Sequence, residues 1–265
     1  MWAANRDPQR DADNLEDLAS QIFRSRSRKV VLISTVAVFD RSDAGYTESK
    51  SSYETQKAYG KNRRWLEEAL ASEVSDLHVL RLPALFGPGL KKNFIFDLIN
   101  PVPSFIAVDK FESVSRELSP GERELLGRWF VRDDQLNMHK YDRDGATRSG
   151  ESRLLESVFS RIGFEAKTFT NSESRYQYYN VERLNDDIDT CIRGGLGVVN
   201  ICSEPLSAKD ICKQLFGVDF LNRAPPLVSE DVRSEHANLF GGEGDYMFDQ
   251  RQVLAELELF VRSGG

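Results

Sequence analysis

The chain has 265 residues, of which 40% are hydrophobic and 29% charged, and its formal net charge at pH 7 is -7. This composition is ordinary for a globular protein and excludes intrinsic disorder as the main description, and the acidic balance argues against a nucleic-acid binder, which must neutralise phosphates. The sequence shows no secretory-signal pattern, no apolar run near the roughly 18 residues of a membrane span, and no metal-site spacing among its three cysteines and three histidines, so we expect a cytoplasmic protein that holds no metal and contacts no membrane.

The first hundred residues alternate between helix and strand patterns. A 3.6-residue apolar period predicts a helix over 11–24, and a short run rich in β-branched residues predicts a buried strand over 29–34. A second helix is predicted over 51–71 and a second strand over 77–82, which Pro83 ends. This order predicts an α/β fold with a parallel sheet and right-handed crossovers.

The middle of the chain is predicted to be mostly helical. Ser119 and Glu122 have the spacing of a capping box, and Pro120 stands at the first helical position, so a helix should begin there. Another helix is predicted over 151–162. The polar segment 133–150 between them is predicted to be a surface loop.

The last hundred residues return to short strand patterns. We predict strands over 166–170, 176–179 and 197–201, and helices over 180–193, 207–217 and 249–261. The glycine cluster 241–244 follows no predicted strand and opens no predicted helix, which indicates a loop.

Four segments carry residues of chemical interest in a fixed order. Ser34 and Thr35 end the first strand, and a hydroxyl at that end of a parallel strand faces the crevice where ligands bind. Tyr59 and Arg63 are four residues apart, so they share one face of the second helix. The other two segments are 81–89, where the second strand runs into a Gly-Pro-Gly turn, and the later pair 175–184 and 200–207.

Together these segments resemble the extended short-chain dehydrogenase/reductase family, in its NAD-dependent sugar-nucleotide epimerase/dehydratase branch. The resemblance depends on the order of STVAVF at 34–39, YGKNR at 59–63 and RLPALFGPG at 81–89, and it runs from Trp2 to about Phe216. It implies an α/β fold with a partial Rossmann-like parallel sheet, flanking helices and a smaller, mostly helical substrate-binding part. It also implies NAD or NADP as cofactor and a sugar-nucleotide as substrate.

The resemblance also divides the chain. Residues 1–100, joined by 175–205, are expected to form the partial Rossmann-like domain. Residues 101–174 and 206–265 are expected to form the substrate-binding and C-terminal part, although the stretch after Pro101 does not match the family pattern well.

By the same resemblance, Tyr59 takes or gives a substrate hydroxyl proton, Thr35 is its hydroxyl partner, and Arg63 stands where the family has lysine. A free tyrosine has a pKa of about 10, and a nearby cation favours the phenolate. The residues implied near the cofactor are Ala3, Ala4, Asn14, Ser34, Pro83 and Phe86, and those implied near the substrate are Lys91, Lys92 and Asn93.

Two departures from the family pattern bear on these roles. Arg63 keeps a positive charge but is larger and planar, so it would not reproduce the point-like ammonium of lysine. Tyr53 and Lys57 form a literal Tyr-x-x-x-Lys pair, which we rank below Tyr59 because Tyr53 lacks the following glycine and lies too near Thr35.

The second departure is the absence of a Gly-x-x-Gly-x-x-Gly segment, which in the family cradles the cofactor pyrophosphate at a helix N-terminus. The resemblance begins where the family's fourth strand ends, near Trp2-Ala3-Ala4. We therefore expect either that Met1 is an internal start of a longer protein or that the ordinary cradle has been lost. In either case the remaining sheet should expose an apolar edge.

The expected function is that of an NAD(P)-dependent epimerase, dehydratase or reductase acting on a nucleotide-linked sugar through tyrosine acid/base chemistry. The alternatives are a non-catalytic dehydrogenase-like binding or regulatory module, or an N-terminally truncated product that does not bind the cofactor. Analogy with the family suggests a possible homodimer.

Overall fold

The structure is a computed structural model and describes residues 2–89 and 92–263. Its helices are α1 (Trp2–Arg6), α2 (Pro8–Ser25), α3 (Ala58–Glu73), α4 (Phe94–Ile99), α5 (Val108–Arg116), α6 (Pro120–Trp129), α7 (Arg143–Ser149), α8 (Ser152–Arg161), α9 (Leu184–Arg193), α10 (Ala208–Phe216) and α11 (Gln250–Arg262). Its strands are β1 (Lys29–Thr35), β2 (Asp76–Leu82), β3 (Ala84–Phe86), β4 (Phe105–Ala107), β5 (Phe130–Asp133), β6 (Met138–Tyr141), β7 (Arg175–Tyr176), β8 (Tyr178–Asn180), β9 (Val198–Asn200) and β10 (Leu206–Ser207).

The chain forms two compact units. The first unit consists of Met1–Leu90, Glu173–Phe220 and Leu227–Gly265, and the second of Lys91–Ser172 and Leu221–Pro226. This division differs from the expected one at the C-terminal end, where α10 and α11 pack with the first unit because α11 contacts both α10 and β8.

A three-stranded sheet in the first unit has the order β1-β2-β9, with both pairs parallel. Leu32 on β1 lies opposite Val79 on β2, and the side chains on this face pack against α2 and α3. The sheet confirms the predicted parallel α/β fold. The buried residues of this core are Leu15, Ala19, Leu32, Leu66, Leu70 and Val79.

Strand β1 is the outer strand of this sheet. Among the described residues it pairs with β2 alone, and its Ile33 side chain is 45% exposed. The outer strand of the sheet therefore carries an exposed apolar side chain.

The predicted helix over 51–71 begins later than expected, at Ala58. Tyr53 forms an isolated β-bridge with Phe39, and the Glu54 carboxylate accepts the backbone N–H groups of Gln56 and Lys57. These contacts hold the chain in an extended turn until α3 starts, so the prediction for 51–57 was wrong.

Two further predictions in the first and second units were wrong. Residues Trp2–Ala4 form part of α1 instead of the end of a strand, in keeping with the high helix propensity of alanine. The predicted strand over 166–170 is a 3-10 helix over Ala166–Phe169, in which the Thr168 hydroxyl and N–H both bond to the Glu165 carbonyl.

The second unit contains an antiparallel sheet of order β4-β6-β5 beside its helices, so it is less purely helical than expected. The segment 133–150 is not a loop, because β6 and α7 lie within it. The charged residues of this segment led to the loop prediction, but they have structural roles. Asp133 accepts the N–H of Leu136 in the hairpin turn, and Asp142 caps α7 by accepting the N–H of Gly145. Phe130 and Tyr141 lie opposite each other on the buried face and stack at 5.2 Å.

The remaining elements agree with the sequence within a few residues. The capping box at Ser119 and Glu122 starts α6 as predicted, and α9, α10 and α11 follow their predicted positions. All three cysteines are free and buried. Across the described residues, no helix has both the length and the apolarity needed to cross a membrane.

Glu230 in the first unit gives a prediction for the pH dependence of stability. Burial raises the pKa of its carboxyl to about 7, and the hydrogen bond accepted from the Gln177 N–H at 2.9 Å opposes that shift only in part. The carboxyl of the unfolded chain has a pKa of 4.5, so the folded protein keeps its proton to a higher pH than the unfolded chain does. This contribution to stability is complete below about pH 4.5 and is lost as pH rises through about 7.

The wild type should therefore lose unfolding free energy between pH 5 and pH 8 through the ionisation of Glu230. Glu230→Gln cannot ionise, so its loss over the same interval should be smaller by about 1–2 kcal/mol. Urea unfolding at the two pH values measures this difference, with Glu243→Gln at an exposed position as the control. Equal pH dependence in the wild type and Glu230→Gln would contradict the assignment.

Candidate functional site

The predicted hydroxyl partner, Thr35, ends β1 and starts a short 3-10 helix over Val36–Val38. Its Oγ1 accepts the N–H of Ala37 at 3.2 Å, which caps this turn. The residue is half-buried. The Thr35 side chain is thus fixed at the carboxyl edge of the parallel sheet, where ligands bind in such folds.

Helix α3 packs closely against this turn at Gly60. A Cβ atom at Gly60 would lie 2.0 Å from the carbonyl oxygen of Ala37, so only glycine permits the contact. The close approach holds the start of α3 against the turn that Thr35 begins.

Replacing Gly60 with alanine should destabilise the protein by about 1–3 kcal/mol, because either the helix or the turn must shift. Urea unfolding measures the loss. Gly127→Ala is the matched control, since a Cβ there meets nothing within 4 Å and helix propensity predicts a gain of about 0.5–1 kcal/mol. A Gly60→Ala protein as stable as the wild type would show that the close approach is not required.

Tyr59 is half-buried near the start of α3, and its backbone N–H donates to Asn5 Oδ1 at 2.9 Å. The Arg63 guanidinium lies over its ring, with Cζ 4.5 Å from the ring centroid. Within the described part of the chain, the Tyr59 hydroxyl has no hydrogen-bond partner. Tyr59 and Arg63 are therefore in contact, as predicted, with the phenol oxygen of Tyr59 available to a ligand.

Arg63 also forms an ion pair that the sequence did not predict. Its Nη1 donates to both carboxylate oxygens of Asp11 on α2, at 2.9 and 2.7 Å. Burial alone would raise the pKa of Asp11, but the hydrogen bonds from Arg63 and Asn62 outweigh it and lower the pKa. The positive charge beside Tyr59 is thus partly neutralised.

Ser34, predicted near the cofactor, belongs to a buried ion network. Its Oγ donates to Glu67 Oε1 at 2.6 Å, and Glu67 also accepts from Arg81 Nη2 at 2.6 Å and from Arg64 Nη1 at 3.0 Å. Glu67 is 3% and Arg81 1% exposed. Ser34 therefore contributes to the packing of α3 on β2 in this structure.

In the rival pair, Tyr53 and Lys57 each contact other residues. Lys57 is 75% exposed and lies 3.9 Å from Glu54, while the Tyr53 ring lies beneath Arg64, whose Cζ is 3.8 Å from the ring centroid. Burial raises the pKa of Tyr53, but hydrogen bonds with Ser51 and Arg81 outweigh that effect and lower it. The cations beside Tyr53 are thus arginines and not Lys57.

The other residues predicted near the cofactor occupy varied positions in the first unit. Ala4 is buried on α1, and Asn14 is exposed on α2. Pro83 is half-buried after β2, and Phe86 is 2% exposed and packs against Phe260 at 5.9 Å. The Ala3 side chain lies outside the described residues.

The residues predicted near the substrate belong to the second unit. Lys91 lies outside the described residues, and Lys92 is exposed. Asn93 caps α4 by accepting the N–H groups of Ile95 and Phe96, and its φ of 117° lies in a region that glycine favours. Such strain is found at ligand-binding positions more often than elsewhere.

The sequence analysis missed Asp11 and Asn5, because the packing of α1 and α2 on α3 depends on tertiary structure. A signal for the Glu67–Arg81 network was present, since an arginine inside a buried strand requires a partner.

No family model and no curated protein sequence matches this chain. Solved structures do match: the UDP-N-acetylglucosamine 4-epimerase from Methanobrevibacter ruminantium M1 has 13% identity and a TM-score of 0.56, with 98% of this chain and 71% of that one covered. The UDP-glucose 4-epimerase of Thermotoga maritima has 15% identity and a TM-score of 0.53, covering 98% and 72%. RMD from Pseudomonas aeruginosa, complexed with NADPH, has 13% identity and a TM-score of 0.56, covering 99% and 75%. The chain thus has the fold predicted from the resemblance.

Proposed function

We propose that the protein acts on a nucleotide-linked sugar, with Tyr59 exchanging a proton with a sugar hydroxyl and Thr35 positioning that hydroxyl. The observation that supports the proposal is the contact of Tyr59 with Arg63 on α3, together with the packing of the next residue, Gly60, against the turn that Thr35 caps. The reaction class is that of an NAD(P)-dependent epimerase, dehydratase or reductase. The fold shared with such proteins supports it.

In the proposed step a sugar O–H donates to the phenol oxygen of Tyr59 or accepts its proton. The Arg63 guanidinium lies 4.5 Å from the ring centroid of Tyr59, and its ion pair with Asp11 partly neutralises the positive charge there. Thr35 uses one lone pair for the Ala37 N–H, so its own O–H remains available to the sugar.

NAD(P) would supply hydride transfer by the resemblance, but the glycine cluster at 241–244 does not have the setting in which the family holds the pyrophosphate. The glycine cluster near the C-terminus follows a 3-10 helix over Ala237–Phe240 instead of a strand. Its Gly242 is packed so tightly that a Cβ there would lie 2.1 Å from the Tyr246 carbonyl oxygen. The cluster is therefore not a turn between a strand and a helix of the kind that holds a pyrophosphate, and the proton step above does not depend on one.

Isothermal titration calorimetry tests the proposal. We expect UDP-glucose or a related UDP-hexose to bind with a Kd below about 1 mM, the upper end of ordinary substrate affinity. Titrations with NAD(H) and NADP(H) show separately whether this chain holds a cofactor. Absence of binding by every nucleotide sugar at millimolar concentration would overturn the proposal.

A second candidate function is a non-catalytic binding module of the same fold. The observation that favours it is the Asp11–Arg63 ion pair together with arginine at the position of the family's lysine. Binding of a nucleotide sugar with no conversion in the presence of NAD(H) and NADP(H) would support this module and contradict catalysis.

A homodimer is a further proposal. It is supported by Trp65 on α3 and Leu18 on α2, which are 41% and 39% exposed, since such apolar side chains are candidates for burial against a partner. Sedimentation velocity tests it: a single species at the mass of one 30.1 kDa chain at micromolar concentration would contradict it.

A further inference from the structure

The second unit has a cleft of about 490 Å³ beside the exposed face of its antiparallel sheet. This volume lies within the range of small-molecule sites. All of its lining residues belong to the second unit, and all but Phe96 lie after Pro101, in the stretch that does not match the family pattern well. The residues used below are Phe96, Phe105, Val131, Lys140, Tyr141 and Arg143.

One wall of the cleft holds a half-buried cation, the guanidinium of Arg143. Its Cζ lies 5.2 Å from the Phe96 ring centroid and 4.8 Å from that of Tyr141. Nη2 donates to the Val102 carbonyl at 2.9 Å, and the other guanidinium nitrogens have no hydrogen-bond partner in the described residues. A guanidinium held in this way presents a planar fork of donors to the cleft.

The charge of Arg143 is not matched by an ion pair. Burial lowers the pKa of Arg143, and burial raises that of its neighbour Asp97 to about 6, although Arg143 opposes that rise. No ion pair to Arg143 occurs within residues 2–89 and 92–263. A half-buried guanidinium with no carboxylate bonded to it is a candidate for binding the anionic group of a ligand.

The floor of the cleft is apolar with a second cation at its centre. Lys140 on β6 lies between Phe105 on β4 and Val131 on β5 in the sheet register. Phe105 is 36% and Val131 61% exposed, and Lys140 is exposed on the same face. A flat ring can therefore lie on Phe105 and Val131 while an anionic group reaches Lys140.

Two carboxylates also line the cleft. Asp142 accepts the Gly145 N–H as the cap of α7, so one of its oxygens is engaged. Asp144 is exposed at the surface, where water screens its charge. Of the charged residues that line the cleft, Arg143 is the least exposed.

We propose that this cleft binds an organic anion with a flat apolar ring, its anionic group held by Arg143 and Lys140 and its ring lying on Phe105 and Val131. The proposal concerns the second unit alone and does not depend on the function proposed for Tyr59 and Thr35.

Fluorescence titration with the aromatic sulfonate 8-anilinonaphthalene-1-sulfonate tests the proposal on the intact protein. We expect saturable binding that Arg143→Gln weakens by about tenfold or more and Lys140→Gln by about three- to tenfold, as for lost charge-assisted contacts. Arg132→Gln is the matched control because it removes one exposed positive charge from the same hairpin, and it should change the affinity less than twofold.

Competition separates the two parts of the ligand. Benzoate should displace the probe, whereas inorganic phosphate at the same concentration should not. If inorganic phosphate displaces the probe as well as benzoate does, the ligand does not need a ring and that part of the proposal is wrong. Lys140 is exposed, so Lys140→Gln carries little risk to folding, and Arg143→Lys, checked by its thermal melt, keeps the charge. Probe binding that Lys140→Gln and both Arg143 variants leave unchanged would overturn the site itself.

Discussion

Replacing Tyr59 with phenylalanine is expected to lower the rate of nucleotide-sugar conversion by about 10²- to 10⁴-fold, the usual contribution of a general acid or base. The variant loses the hydroxyl that exchanges the proton. It keeps the ring beneath Arg63 and the backbone N–H bonded to Asn5, so stability should be nearly unchanged. Initial rates with a UDP-hexose and NAD(H) or NADP(H), together with a urea unfolding curve, measure both quantities.

Tyr53→Phe is the matched control, because Tyr53 is the rival phenol and lies against two arginines. We expect it to change the rate less than about threefold. A large loss in Tyr53→Phe with full activity in Tyr59→Phe would transfer the acid/base role to Tyr53.

Glu67→Gln should lower the free energy of unfolding by about 3–5 kcal/mol, the usual result of breaking a buried ion pair. Glu67 accepts hydrogen bonds from Arg81, Arg64 and Ser34, and it and Arg81 are almost fully buried. Without the carboxylate charge, the Arg81 guanidinium stays buried and uncompensated. Urea unfolding of the wild type and the variant measures the loss.

The control for this change lies one residue further along α3. Glu68 also pairs with Arg64, at 2.9 Å, but its side chain is 60% exposed. Glu68→Gln should therefore cost no more than about 0.5 kcal/mol. A loss below about 1 kcal/mol for Glu67→Gln would mean that the network is not what joins α3 to β2.

The parallel sheet could be predicted from sequence because its strands are short apolar runs rich in β-branched residues. Leu32, Val79 and Val199 lie in such runs, and β1, β2 and β9 were found within two residues of their predicted bounds. The cap at Ser119 was equally clear, since a capping box acts through neighbouring residues.

Other parts of the fold depend on contacts between distant residues. The extended segment before Ala58 is held by the bridge from Tyr53 to Phe39, which no local pattern reveals. The hairpin over 130–141 was hidden because its exposed face carries Lys140 and its turn carries Asp133. Hydrophobic alternation is weak because the face that carries Phe130 and Tyr141 also carries the polar pair Arg132 and His139.

The candidate site was foreseeable in its residue types but not in its electrostatics. The spacing of Tyr59 and Arg63 predicted their contact on one helix face, and the structure has that contact. The partner of Arg63 could not be predicted, since Asp11 is 52 residues away and reaches it only through the packing of α2 on α3.

The most direct test of the proton chemistry is an experimental structure of the protein with a bound UDP-hexose. The account predicts one sugar hydroxyl within about 3.2 Å of both the phenol oxygen of Tyr59 and the Thr35 hydroxyl, the distance needed for proton transfer. A sugar bound elsewhere, or with those two oxygens on opposite sides of it and sharing no hydroxyl, would contradict the account.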